Sequence, residues 1–203
     1  PCILYNGGGL YELSTRTFLA KHPLPYDLAA EVIACVISSR ANACVQVFTD
    51  LAIFEVNANQ RDDPQTVLEQ IPIRTVPLER IEGAVIKLLI AHETADLNEI
   101  HAAVRLAPFF PQLTVFRSSN HYLEIVASNV NKGSALLDVR SRCDNVKKIL
   151  AIGDYNNDLE MVRYADIGAA PANAIDEVKS AADIVLPADN NHHCVAQFLN
   201  AVL

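Results

Sequence analysis

The chain of 203 residues contains no tryptophan and one methionine, Met161, and it opens on Pro1. It has no basic run. Lys and Arg total 16 against 24 acids, a formal charge of −8, which excludes a surface built to neutralise a nucleic-acid backbone or an anionic membrane. It has no CxxC pair. Its five cysteines, Cys2, Cys35, Cys44, Cys143 and Cys194, are odd in number and scattered, which excludes a zinc knuckle or a disulfide framework. They read as buried, reduced thiols, so a cytoplasmic location is expected. Long apolar runs are also lacking: residues 85–91 are interrupted by Lys87 and are far too short to span a bilayer. No signal-peptide pattern, internal repeat or low-complexity tract is present. What is plentiful is apolar residue, at 51%, enough for a substantial buried core.

The C-terminal third alternates short apolar runs with helical spacing. Residues 148–153, 167–170 and 183–186 read as strands, and 158–165, 174–181 and 193–202 as helices. Buried strands separated by helices make a parallel sheet covered on both faces. The middle differs. An amphipathic helix is expected over 26–39, then a hairpin of 44–48 and 52–56 around Thr49-Asp50-Leu51, and a polar loop over 57–65. A strand at 85–91, a helix at 97–106 and paired strands at 113–117 and 122–126 follow. Helices on one face of an antiparallel sheet form an α+β module, expected at residues 13–118. Residues 1–12 and 119–203 then form the rest.

Gly153-Asp154-Tyr155-Asn156-Asn157-Asp158 lies directly after an apolar strand and opens a helix. Ligands of open α/β sheets bind at the carboxyl ends of strands, and two carboxylates with two amides supply hard oxygen donors of the kind that suit Mg²⁺. The same residues also serve as a helix cap and a solvated turn. Lys132 begins a helix after an extended run. It is either a surface charge or a cation aimed at a phosphate or a carboxylate. Asn6-Gly7-Gly8-Gly9 reads as a tight turn with positive φ. Asn173 reads as an N-cap, and His192-His193 as a polar helix start.

Four blocks in this order resemble the haloacid dehalogenase superfamily, in particular its Cof-type (subclass IIB) sugar phosphatases. They are CILYNGG at 2–8, LEIVASNVNKGSAL at 123–136, ILAIGDYNND at 149–158, and the NA…VK..AD region at 167–195. The resemblance implies an α/β fold: a Rossmann-like parallel-sheet core at 1–12 and 119–203, with an inserted α+β cap domain at 13–118. It implies a Mg²⁺-dependent hydrolase acting on small phosphorylated metabolites, sugar or nucleotide phosphates, through an aspartyl-phosphate intermediate. It also implies roles. Asp154 binds Mg²⁺; Asp158 orients the metal's water shell or pairs with Lys132; Asn157 contacts phosphate or the metal shell; Lys132 screens phosphate charge and positions the nucleophile. Pro171-Ala172 and Cys194 depart from the family pattern, which more often has Met-Gly and a glycine there.

The family's nucleophile lies in a DxDGT motif ahead of the first block. No DxD occurs in this chain, and Asp62-Asp63 are adjacent in the polar loop. The expectation is therefore a core lacking its nucleophile strand, a segment removed from the front, and a chain inactive by itself. Exposed sheet edges would then favour self-association. The alternative is a non-catalytic metal- or phosphate-binding or regulatory relative.

Overall fold

The structure, a computed structural model, describes residues 1–57, 72–143 and 145–203. Asp62-Asp63 and the expected loop beyond Asn57 lie outside the described residues. The fold class is α/β, and the chain divides into two compact units, Pro1–Ala20 with Val130–Leu203, and Lys21–Asn129.

The first unit opens with β1 (Cys2–Leu4), β2 (Gly9–Glu12) and β3 (Thr17–Lys21), a sheet in that order with β1 and β2 antiparallel. β3 has no counterpart in the sequence reading. Its residues alternate only between exposed and half-exposed, too weak a contrast for a period-2 signal.

In the second unit, α1 (Tyr26–Ser39) starts after Pro25, whose fixed φ suits a helix entry, with Asp27 in the first turn. Leu28, Ala29, Val32, Ile33 and Val36 form its buried stripe. β4 (Cys44–Thr49) and β5 (Ile53–Val56) are the expected antiparallel hairpin, and β6 (Ile73–Thr75) adds in parallel beside β5. β7 (Val85–Ala91), α2 (Thr94–Leu106), β8 (Leu113–Ser119) and β9 (Tyr122–Ala127) complete a six-stranded sheet in the order β6-β5-β4-β7-β9-β8. Strand alternation sends Val45, Val47, Leu88, Ile90, Leu123 and Ile125 into one core with Leu97, Ile100 and Val104 of α2 and the stripe of α1. The other face carries Gln46, Lys87 and Glu124, all buried. Lys87 Nζ donates to Glu124 Oε2 at 2.6 Å and stands 4.3 Å from the centre of the Phe48 ring.

This sheet moves the unit boundaries. β9 is hydrogen-bonded between β7 and β8, so the second unit runs to Asn129 rather than ending near residue 118. Residues 13–16 lead into β3, which pairs with β2, so the division falls between Ala20 and Lys21, at the end of β3, rather than at 13.

The first unit then resumes with α3 (Lys132–Arg142), β10 (Leu150–Ile152), α4 (Leu159–Tyr164), β11 (Ile167–Ala170), α5 (Asp176–Ala181), β12 (Ile184–Val185) and α6 (Cys194–Val202). The strands β10-β11-β12 are parallel. Consecutive residues of β11 face opposite ways: Ala170 packs with Val162, Ala174 and Val178, and Ala169 with Leu186, Cys194 and Phe198. Both faces are covered, as expected for a parallel sheet. Asn173 is not the cap of α5. Ile175 holds that position, and the Asn173 side chain accepts from Asn190 N–H at 3.0 Å instead. All five cysteines are free, but only Cys44 and Cys194 are buried; the others are half-buried. Among the described residues no helix is long and apolar enough to cross a membrane.

Two outcomes follow from these ion pairs. Glu124→Ala strands the Lys87 ammonium and is expected to cost about 3–5 kcal/mol in urea unfolding, while a Lys87→Met/Glu124→Leu double variant recovers most of that loss. The Asp166 carboxyl is held below its usual range, chiefly by the Ile149 N–H it accepts and then by Arg140. A depressed folded value stabilises above the unfolded pKa of about 3.9, and the benefit disappears as pH falls through the folded value. Asp166→Asn is therefore expected to flatten the acid side of the stability curve below about pH 4, read by urea unfolding across that range.

Candidate active site

β10 ends at Ile152, and Gly153 leads into a 3-10 turn at Asn156–Asp158 that runs on into α4. Asp158 is buried, and both its carboxylate oxygens are engaged. Oδ1 accepts from Lys132 Nζ at 2.6 Å. Oδ2 accepts from the backbone N–H groups of Asp154 at 3.1 Å and Tyr155 at 3.4 Å. These charge-assisted bonds offset the desolvation of the buried carboxylate and shape the loop that carries Asp154.

Lys132 comes to this point because α3 lies hard against α4. A Cβ on Gly133 would stand 2.6 Å from the Glu160 backbone, so only glycine permits that spacing. The start of α3 is fixed by a capping box. Asn131 Oδ1 accepts from Ser134 N–H at 2.8 Å, and Ser134 Oγ accepts from Asn131 N–H at 3.0 Å. The N-terminus of α3 is therefore rigid where its lysine projects.

Asn157 turns the other way. Its Nδ2 donates to Asn6 Oδ1 at 3.1 Å, tying the acidic motif to the turn after β1. That turn, Tyr5–Gly7, has φ of 53° at Tyr5, 54° at Asn6 and 102° at Gly7. Gly7 packs directly on the start of α3: an added Cβ would stand 2.2 Å from the Asn131 carbonyl oxygen. Asp154 is half-buried. Its Oδ2 lies 3.5 Å from Asn190 Nδ2, and its carbonyl accepts from Ile175 N–H at 3.0 Å.

The structure thus joins Lys132 to Asp158, and sets Asp154 and Asn157 on the same short loop. Asp158 and Lys132 are in direct contact. Asn6 and Asn190, which the sequence does not single out, contact Asn157 and Asp154. For Asn6 the only sequence signal was that of a positive-φ turn, and Asn190 lies in the polar loop before α6 with no signal at all. His192 contacts Asp189 through Nδ1 at 2.6 Å, and this lowers the Asp189 pKa. His193, with φ of 57°, sits at the N-cap of α6.

Among the described residues no three His, Cys, Asp or Glu side chains gather as ligands. Asp154, half-buried on the same loop, offers a carboxylate donor beside amide side chains. That set fits Mg²⁺, which is commonly held by one or two carboxylates while waters and a substrate phosphate fill its remaining positions.

This is an α/β enzyme fold with its acidic motif at the carboxyl edge of a parallel sheet. Residues 1–199 match the haloacid dehalogenase-like hydrolases, and the chain belongs to that family. It is 28% identical over 230 residues to 5-amino-6-(5-phospho-D-ribitylamino)uracil phosphatase YwtE of Bacillus subtilis, covering 100% of this chain and 78% of that protein. The crystal structure of TM0651 from Thermotoga maritima superposes with a TM-score of 0.77 at 30% identity, covering 98% of this chain and 74% of that one. The subclass IIB sugar phosphatase BT4131 shares the fold, with a TM-score of 0.75 at 18% identity over 98% of this chain and 74% of that one. In alignments to curated relatives the chain spans from 29% to 78% of their own length.

Gly7→Ala forces a side chain into positive φ and against the Asn131 carbonyl. It is expected to destabilise the fold by about 2–4 kcal/mol in thermal or urea unfolding, well beyond an ordinary exposed Gly→Ala change.

Proposed function

We propose that this chain carries one side of a phosphatase site for small phosphorylated metabolites, sugar or nucleotide phosphates, with its second unit acting as the cap. The observation that carries the reading is the 2.6 Å contact between Lys132 and Asp158, which brings a helix-borne cation to the acidic motif. Lys132 neutralises charge on the bound phosphate, and Asn157 orients it. Asp158 holds Lys132 and the loop backbone in place, and Asp154 holds Mg²⁺. The metal supplies charge stabilisation for phosphoryl transfer.

The reaction of this family type moves the phosphoryl group from the ester oxygen to an aspartate carboxylate, and water then cleaves the acyl phosphate. No Asp-x-Asp occurs in these 203 residues, so the chain by itself is proposed to bind without turnover. The alternative reading is a metal- and phosphate-binding relative that performs no hydrolysis.

The test combines calorimetric titration of Mg²⁺ with assays on a panel of sugar and nucleotide phosphates. Expected are measurable Mg²⁺ binding, a loss of roughly tenfold or more in Asp154→Asn, and no turnover by the 203-residue chain. Turnover by that chain would overturn the claim of inactivity; Mg²⁺ binding indifferent to Asp154→Asn would overturn the site. Hydrolysis restored in a longer form of the protein that carries an Asp-x-Asp segment separates the phosphatase from the binding relative.

A further inference from the structure

The turn at Tyr5–Gly7 has three successive residues at positive φ, two of them not glycine. A tyrosine in the left-handed region is uncommon, and such strain persists only where the surroundings over-determine it. Here two contacts do so. Gly7 lies against the Asn131 carbonyl with no room for a Cβ. Asn6 Oδ1 accepts from Asn157 Nδ2 at 3.1 Å, between half-buried groups 151 residues apart in sequence. The first contact anchors the turn to the helix start that bears Lys132, and the second anchors it to the acidic motif.

We infer that Asn6 is a positioning residue for the phosphate site, holding the Asn157 carboxamide in one orientation, and that the strained turn is retained because it delivers Asn6 to that place. Asparagine suits the task on two counts. It tolerates left-handed φ better than most side chains, and its carbonyl oxygen accepts from one Nδ2–H of Asn157, which holds the carboxamide while leaving the second Nδ2–H as the donor for a phosphate oxygen. An amide that is free to flip presents donor and acceptor to a phosphate alternately. One held through a single Nδ2–H keeps the other N–H as its donor, with the ordering already in place before the ligand arrives. The inference rests on the proposed role of Asn157 as a phosphate contact.

Asn6→Gly separates the two functions of residue 6, because glycine adopts the same φ without strain while deleting the acceptor. With Mg²⁺ saturating, inorganic phosphate is titrated into the wild-type chain, Asn6→Gly, Asn157→Ala and the double variant, and the Asn157 side-chain amide resonances are followed by NMR. Expected are a roughly five- to tenfold loss of phosphate affinity in Asn6→Gly, the scale of one orienting hydrogen bond, and an unfolding midpoint that does not fall. The Asn157 resonances should move toward those of a solvated carboxamide, and Asn6→Asp, which keeps an acceptor, should hold them near their wild-type positions. The double variant should bind no more weakly than Asn157→Ala, since both changes remove one coupled contact. Additive losses, or Asn157 resonances unmoved in Asn6→Gly, overturn the inference. If Asn157→Ala weakens phosphate and Asn6→Gly does not, the inference alone fails. If wild type takes up no phosphate, or Asn157→Ala leaves its affinity intact, the proposed function falls and this inference with it.

Discussion

A single buried carboxylate, that of Asp158, organises the first unit. Burying a charge is costly unless it is paired and hydrogen-bonded, and here one oxygen takes the Lys132 ammonium while the other takes two backbone N–H groups. Each bond fixes something different. The lysine links α3 to the loop after β10, and the backbone bonds set the curve of the loop that carries Asp154. Replacing this carboxylate by an apolar group would release the lysine and the loop together, because the same atom group satisfies both.

The two units hold together by different means. In the second, one large core of aliphatic side chains from two helices and the sheet supplies the cohesion, and the Lys87–Glu124 pair is a buried addition on the other face. In the first, the apolar clusters are small and rich in alanine. Hydrogen bonds from loop side chains therefore carry more of the geometry: Asp166 to the Ile149 N–H, Asp183 to the Gly168 N–H, Asn173 to the Asn190 N–H. Directional bonds suit a unit whose loops must hold polar side chains at fixed spacing, since dispersion and hydrophobic contacts have little directional preference.

The family relationship sharpens what these loops can do without naming a substrate. Relatives that share the fold act on compounds as different as a ribitylaminouracil phosphate and sugar phosphates. What a phosphoryl-transfer site must keep constant is the treatment of the phosphate, whatever the rest of the substrate.

Periodicity and turn chemistry made much of the architecture legible in the sequence. The stripe of α1, the hairpin of β4 and β5, the apolar strand β7, and the alternation of β10, α4 and β11 are all local patterns, set by side chains within a few positions of one another. The motif from Gly153 to Asp158 and the lysine at 132 could be singled out for the same reason: their residue types and their place after a strand or at a helix start are local facts. The contact of Asp158 with Lys132, that of Asn6 with Asn157, the approach of Asn190 to Asp154 and the edge of the second unit at Asn129 were decided only by the tertiary structure. Each depends on groups far apart in the chain meeting at a distance of a few ångströms, fixed by packing such as that of Gly133 on α4 and Gly7 on Asn131, and no local pattern encodes that meeting.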